Sequence, residues 1–250
     1  MSERFLRNEM ILGKAAADKL AASHVCVFGL GGVGSYAVEA LARSGVGELT
    51  LIDQDVYSES NINRQLGALT STVGQSKAQV LARRVLDINP GCTVHPILGR
   101  YDRNNGESFF GPYDYIVDAI DLVACKVDLI CRAVERQIPI LSALGTGNKL
   151  NPSLLQIADL SKTYGCPLAR VMRRELGRKG IKHLKVVFSP EEPAPTLQLE
   201  APPPGRRSVP ASVPWVPSVA GLMLGGAVVM DLAEGLLPTN STDTERSDAT

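Results

Sequence analysis

The chain has 250 residues, 44% of them hydrophobic and 21% charged, which is enough apolar material for a sizeable core and excludes a disordered or fibrous protein. Its 26 basic residues balance 26 acidic ones, so any argument for a nucleic-acid or membrane partner must come from local clustering. Five cysteines, at 26, 92, 125, 131 and 166, form no C-x-x-C pair, which argues against a zinc knuckle and a disulfide framework. A reduced, cytoplasmic compartment is the expectation, and MSERFLRNEM lacks the apolar core of a signal peptide.

In chain order, HVCVF (24–28) reads as a buried strand and VGSYAVEALARSG (33–45) as a helix with Val33, Ala37, Ala40 and Leu41 on one face. ELTLID (48–53) is the next strand, followed by a helix over 77–88 closed by Asn89-Pro90 and a strand near 93–98. A strand at 115–120, a helix at 122–136 and a strand at 138–144 continue the alternation. The pattern predicts an α/β fold, a Rossmann-like, mostly parallel sheet with helices on both faces.

The second half is more irregular. It holds a short strand (154–158), a basic amphipathic helix (167–179) and a strand (183–189), and then nine of the sixteen prolines between residues 190 and 217. Residues 208–230 carry no charge, but prolines confine the uninterrupted helix to 218–230, short of the ~20 residues a membrane span needs. With Gly221, Gly225 and Gly226, this segment reads as a packing or dimer helix, and no membrane contact is expected. The expected organisation is one domain over 1–238, with a nucleotide-binding part at about 20–150, a second part at about 151–238, and a disordered polar tail at 239–250.

The strongest chemical signal is Gly29-Leu30-Gly31-Gly32-Val33-Gly34 between a strand and a helix. Glycines let the backbone approach a phosphate, and the helix N-terminus supplies unpaired N–H groups. Asp53, nineteen residues beyond Gly34, ends the next strand, where a carboxylate binds ribose hydroxyls. NAD would be the default ligand, yet Asp55, Asn61, Arg64, Gln65 and then Lys77 follow closely. A guanidinium and an ammonium suit a triphosphate better than a dinucleotide pyrophosphate. Asp118 and Asp121 lie at the end of the 115–120 strand, and one of them would hold Mg²⁺.

GLGGVGS, LIDQD, N-x-x-R-Q, GQSK and VDAID resemble the adenylating domain shared by ubiquitin-activating enzymes and the bacterial ThiF and MoeB-like proteins. The resemblance implies that Gly29, Gly31, Gly32, Gly34 and Asp53 hold ATP. It also implies that Asn61, Arg64 and Lys77 act on the phosphates and Asp121 binds magnesium. It matches Arg7 to an arginine that enters the partner's site in a homodimer, although Arg7 reads equally well as a solvated helix residue. Within that superfamily GTGNKLNP (145–152), PLARVMRREL (167–176), GIKHLKVVFSPEEP (180–193) and WVPSVAGLMLGG (215–226) are similar to the tRNA threonylcarbamoyladenosine dehydratases. Such enzymes use ATP to cyclise the threonylcarbamoyl group through an acyl-adenylate, releasing pyrophosphate and AMP. A sulfur-transfer helper protein is a further partner the family admits.

Seven basic residues between 170 and 185 (Arg170, Arg173, Arg174, Arg178, Lys179, Lys182 and Lys185) face one acid, Glu175. With Leu168, Val171, Met172 and Leu176 buried, the arginines face outward as a phosphate-binding surface, extended by Arg206 and Arg207. Lys149 would face either ATP or tRNA. Cys166, the last cysteine, reads as an ordinary thiol, so no covalent thioester is expected. The competing readings are an adenylyltransferase acting on the C-terminal glycine of a sulfur-carrier protein, a nucleotide-gated scaffold, and an NAD oxidoreductase. The absence of zinc pairs counts against the first, the full triphosphate set against the second, and the absence of a hydride-transfer site against the third.

Overall fold

The structure is a computed structural model and describes residues 3–199 and 209–238. Arg206, Arg207 and the 239–250 tail lie outside the described residues. The strands are β1 (His24–Phe28), β2 (Glu48–Asp53), β3 (Thr93–Leu98), β4 (Tyr115–Asp118), β5 (Ile140–Ala143), β6 (Gln156–Asp159) and β7 (Lys185–Phe188). They form one sheet in the order β3-β2-β1-β4-β5-β7-β6, parallel throughout except for β6, which runs antiparallel to β7 at the edge. The helices are α1 (Leu6–Leu12), α2 (Lys14–Ala21), α3 (Gly34–Arg43), α4 (Lys77–Ile88), α5 (Val123–Glu135), α6 (Pro167–Gly177) and α7 (Trp215–Leu232).

Both faces of the sheet are covered, as a parallel sheet requires. Alternate residues of each strand enter opposite cores. Val25, Val27, Leu49, Leu51 and Val117 pack with α3, α4 and α7, while Cys26, Phe28, Ile52 and Ile116 pack with α5 and α6. The expected α/β class therefore holds: β1, β2, β3 and α4 keep their expected bounds, and the ends of the other expected elements shift by at most three residues. The 115–120 strand stops at Asp118, whose Oδ1 accepts the Ile120 N–H at 3.1 Å and turns the chain out of the sheet.

The expectation for the apolar C-terminal helix needs correction. α7 runs for 18 residues from Trp215, because Pro214 serves as N-cap and Pro217 lies in the first turn, where its missing N–H has no helical acceptor to lose. By length and composition alone α7 suffices to cross a membrane. Two of its three glycines serve packing within the fold: a Cβ on Gly221 would lie 2.2 Å from the Val33 carbonyl oxygen, and one on Gly225 2.5 Å from Ala40 Cβ. Asp231, near its C-terminus, accepts the Tyr115 hydroxyl at 2.6 Å and pairs with Lys185 Nζ at 2.5 Å, which fastens the helix to β4 and β7.

Candidate active site

Parallel strands put all their C-terminal ends on one edge, and β1 and β4 flank the point where the strand order reverses, the usual ligand crevice of such sheets. A cleft of about 690 Å³ opens there, within the range of small-molecule sites. Gly29 begins the loop at φ +86°, and a Cβ on it would lie 2.7 Å from the Ala119 carbonyl oxygen. Gly34 supports the loop from below rather than lining the cleft, since a Cβ there would sit 1.8 Å from Gly29 O. A Cβ on Gly31 would point into open cleft, with only Gln65 Nε2 near it at 3.7 Å. Gly29, Gly31, Gly32 and Val33, the loop that leads into α3, therefore border the cleft where backbone can approach an anion.

Asp53 holds this loop closed. Its Oδ2 accepts the Leu30 N–H at 2.7 Å and its Oδ1 the Asp55 N–H at 2.8 Å, and each oxygen keeps a further lone pair for a ligand hydroxyl. Asp55 in turn holds Lys77, the first residue of α4, at 3.0 Å. The Lys77 side chain is only 6% exposed and retains two more N–H donors. Asn61 accepts the Ser58 N–H at 3.2 Å, and Arg64 Nη1 donates at 2.8 Å to Ser60 O and to Asn63 Oδ1, so both are fixed at the rim. Gln65 is buried in the same wall with Oε1 unpartnered, an acceptor whose burial is costly until a ligand satisfies it.

Asp118 and Asp121, three residues apart, have different fates. Asp121 lines the cleft. Asp118 does not, which corrects its expected place among the nucleotide contacts. Its carboxylate is fully buried, 2.8 Å from the equally buried Lys126 Nζ, and Oδ2 also accepts the Ser142 hydroxyl at 2.6 Å. Lys126 donates at 3.1 Å to Ile120 O, while Asp118 accepts the Ile120 N–H, so the pair clamps both backbone polar groups of Ile120, the residue preceding Asp121.

Lys126 and Ser142 were missed from the sequence. Lys126 carried a usable signal, because it falls on the apolar stripe of α5 with Leu129, Ile130 and Ala133. A cation there demands a buried partner.

Lys149 lines the cleft and is almost fully buried, its Nζ bonded to Glu191 O. The preceding Asn148, at φ +58°, bonds with its N–H and Oδ1 to Ala211 and with its carbonyl to Ala194, and so ties two proline-rich segments over the cleft. Arg7 lies elsewhere. It is exposed on α1, which is fastened by Arg4 to Ile88 O at 3.2 Å and by Asn8 to Arg43 O at 2.6 Å. Those carbonyls end α4 and α3, at the sheet edge opposite the cleft.

The cleft continues past Gly145 and Thr146 to Cys166 and Leu168, where α6 begins. The α6 core face is Ala169, Met172 and Leu176, with Leu168 and Val171 half-buried. Arg170, Arg174, Arg178, Lys179 and Lys182 are exposed as expected. Arg173 is not: it turns back to donate to Thr163 O at 2.7 Å. Arg174 and Arg178 share Glu175 at 2.8 and 3.3 Å, and Lys185 is taken by Asp231.

Residues 5–229 match the ThiF family. The chain belongs to the ThiF family. Among its relatives, the tRNA threonylcarbamoyladenosine dehydratase of Bacillus subtilis (strain 168) is 44% identical over 246 residues, 94% of this chain and 97% of that protein. The crystal structure of the E. coli tRNA N6-threonylcarbamoyladenosine dehydratase in complex with ATP matches this ThiF-family fold with a TM-score of 0.82 and 34% identity, covering 92% of this chain and 93% of that one. The adenylyltransferase and sulfurtransferase UBA4 of Saccharomyces cerevisiae (strain YJM789) is 31% identical over 154 residues, 62% of this chain and 35% of that protein.

Proposed function

We propose that this ThiF-family chain is an ATP-dependent tRNA threonylcarbamoyladenosine dehydratase. The observation that carries the reading is the continuity of one cleft from the glycine loop, through Arg64, Lys77 and Asp121, to the start of the basic helix α6. ATP lies with its base against Ile52, Tyr101 and Ile120, its ribose on Asp53 and its phosphates toward Arg64 and Lys77. The tRNA backbone follows the exposed cations of α6. A carrier-protein adenylyltransferase shares the ATP end of this cleft but gives no reason for α6.

The substrate carboxylate is a poor electrophile. Its oxygen attacks the α-phosphorus, forming the acyl–O–P bond while the α–β bridging bond breaks and pyrophosphate leaves. Arg64 and Lys77 offset the charge that develops on the phosphates. The ureido nitrogen of the same side chain then attacks the activated carbonyl, a C–N bond closes the ring, the nitrogen loses its proton and AMP departs. Tethering of that nucleophile supplies effective concentration, so no protein thiol is required.

The donor set also fits Mg²⁺. The Asp121 carboxylate at the cleft and the orphaned Gln65 carbonyl are hard oxygens, and Mg²⁺ favours one or two carboxylates together with phosphate oxygens. Bound there, Mg²⁺ would neutralise phosphate charge.

The proposed assembly is a homodimer. Arg7 cannot reach the cleft of its own chain, so a role on phosphates requires a second copy. Leu6, Met10 and Ile11 on α1 and Leu222 and Met230 on α7 are exposed apolar side chains that such a partner would cover. All five cysteines are free thiols, which supports the cytoplasmic assignment.

The test is mass spectrometry of nucleosides after incubation with Mg-ATP and tRNA bearing threonylcarbamoyladenosine. A nucleoside lighter by one water, with AMP and pyrophosphate formed in step, is expected. ATP binding without that product would leave the adenylation site standing and refute the acceptor.

A further inference from the structure

Two of the chain's three histidines meet far from the cleft. In the parallel register, His24 of β1 is opposite Glu48 of β2, and Thr50 of β2 is opposite His95 of β3. Residues 24, 48, 50 and 95 therefore project from one face, the face that carries Cys26 and Ile52. Glu48 Oε1 lies 2.8 Å from His95 Nε2 and 3.4 Å from His24 Nδ1, and the three ligand atoms all fall within 4.8 Å of one another.

We propose that His24, Glu48 and His95 bind a divalent transition-metal ion of the Zn²⁺ class. A tetrahedral ion with bonds of about 2.0–2.1 Å sets its ligand atoms roughly 3.3 Å apart. Two edges of the triangle are already near that length. The third closes by side-chain rotation of His95, which is 46% exposed. His24 is better fixed, at 13% exposure, with Nε2 on Thr50 Oγ1 at 2.8 Å. A hydrogen bond of this kind on the far ring nitrogen selects the tautomer that leaves Nδ1 for the metal. The backbone N–H of His24 is held by Asp114 at 2.8 Å, so a second carboxylate lies nearby.

Two imidazoles and one carboxylate favour Zn²⁺, Co²⁺ or Ni²⁺ over Mg²⁺ or Ca²⁺. Three protein ligands leave room for water. The site joins the sheet edge β3 to β2 and β1 at the N-terminal ends of β1 and β2, opposite the adenylation cleft. Occupancy acts on the stability of this corner rather than on the chemistry.

The experiment titrates the untagged full chain with Co²⁺, followed by visible absorbance, and with Zn²⁺, followed by calorimetry and thermal unfolding. One ion per chain is expected, with ligand-field bands of a low-coordinate site and a Zn²⁺-dependent rise in Tm. His95→Gln, at an exposed position, and Glu48→Gln, at a half-buried one, are expected to weaken binding by at least ~10-fold and to leave metal-free folding and ATP–pyrophosphate exchange unchanged. Absence of saturable binding, or equal binding by parent and both variants, overturns the site and leaves a hydrogen-bonded row of side chains.

Discussion

Replacing Lys126 by Met tests how the loop carrying Asp121 is held. The substitution keeps most of the side-chain volume and removes the cation paired with Asp118, in a pair with 0% exposure on both sides. Asp118 would keep the Ser142 hydroxyl and the Ile120 N–H, but its charge would have no counter-ion, and Ile120 O would lose its donor. Breaking a buried pair from one side costs about 3–5 kcal/mol, because the remaining charge is stranded in low dielectric. For a chain of this size, each kcal/mol lowers Tm by about 2–4 °C, so a fall of about 6–20 °C is expected. The double variant Asp118→Asn/Lys126→Met removes both charges and should recover part of the loss, with a coupling of roughly 0.5–3 kcal/mol. ATP–pyrophosphate exchange, measured where the single variant is still folded, should fall as well, since Ile120 immediately precedes Asp121. A Tm within ~2 °C of the parent, or a double variant no better than the sum of its parts, would refute the clamp.

Three further outcomes follow from other contacts. Gly221→Ala should disrupt the packing of α7 on α3, where the new Cβ would be 2.2 Å from a carbonyl oxygen. Gly226→Ala, with nothing within 4 Å, should raise stability by about 0.5–1 kcal/mol in urea unfolding, and equal effects would contradict this account of α7. Glu39 takes Arg43 and Arg84 at 2.7 Å each; burial pushes its carboxyl up, but the two guanidinium groups outweigh it and hold it below the usual value. Its contribution is therefore full above the unfolded-state pKa and lost as pH falls through the lowered one. Glu39→Gln should cost about 1 kcal/mol at neutral pH, given the exposure of both arginines, with the gap to the parent closing as pH falls below the ordinary glutamate range. Arg170→Glu combined with Lys182→Glu should weaken tRNA binding and make its salt dependence shallower by about one unit per lost phosphate contact, with ATP affinity unchanged. Unchanged tRNA binding would remove α6 from the interface.

The nucleotide end of the site was legible because its determinants are local. The glycine loop, α3, β2 and Asp53 fall within thirty residues, and each alone dictates its neighbour: only glycine fits at 29 and 34, and the strand places Asp53 at its end. Asp118 and Asp121 show where this stops. Both sit at the end of β4 in sequence, and which of them reaches the cleft depends on where the chain leaves the sheet. That exit is set by Ile120 bonding to Asp118 and Lys126, a contact that charge and spacing do not announce.

The same division runs through α6 and the segments over the cleft. Counting charges located the basic helix, yet the count cannot show that Arg173 belongs to Thr163 or that Lys185 belongs to an aspartate 46 residues away on α7. Asn148 is a stronger case. Its neighbours Gly145 and Gly147 suggest only a turn, whereas its three bonds reach Ala194 and Ala211, the latter 63 residues on. Prolines explain why that clip is needed. They deny a chain the backbone donors of a regular element, so the stretches around Ala194 and Ala211 are held over the cleft by contacts from outside them. Asn148 shares that work with Asn63, whose amide donates to Ser212 O at 3.0 Å, and with Lys149, whose Nζ donates to Glu191 O.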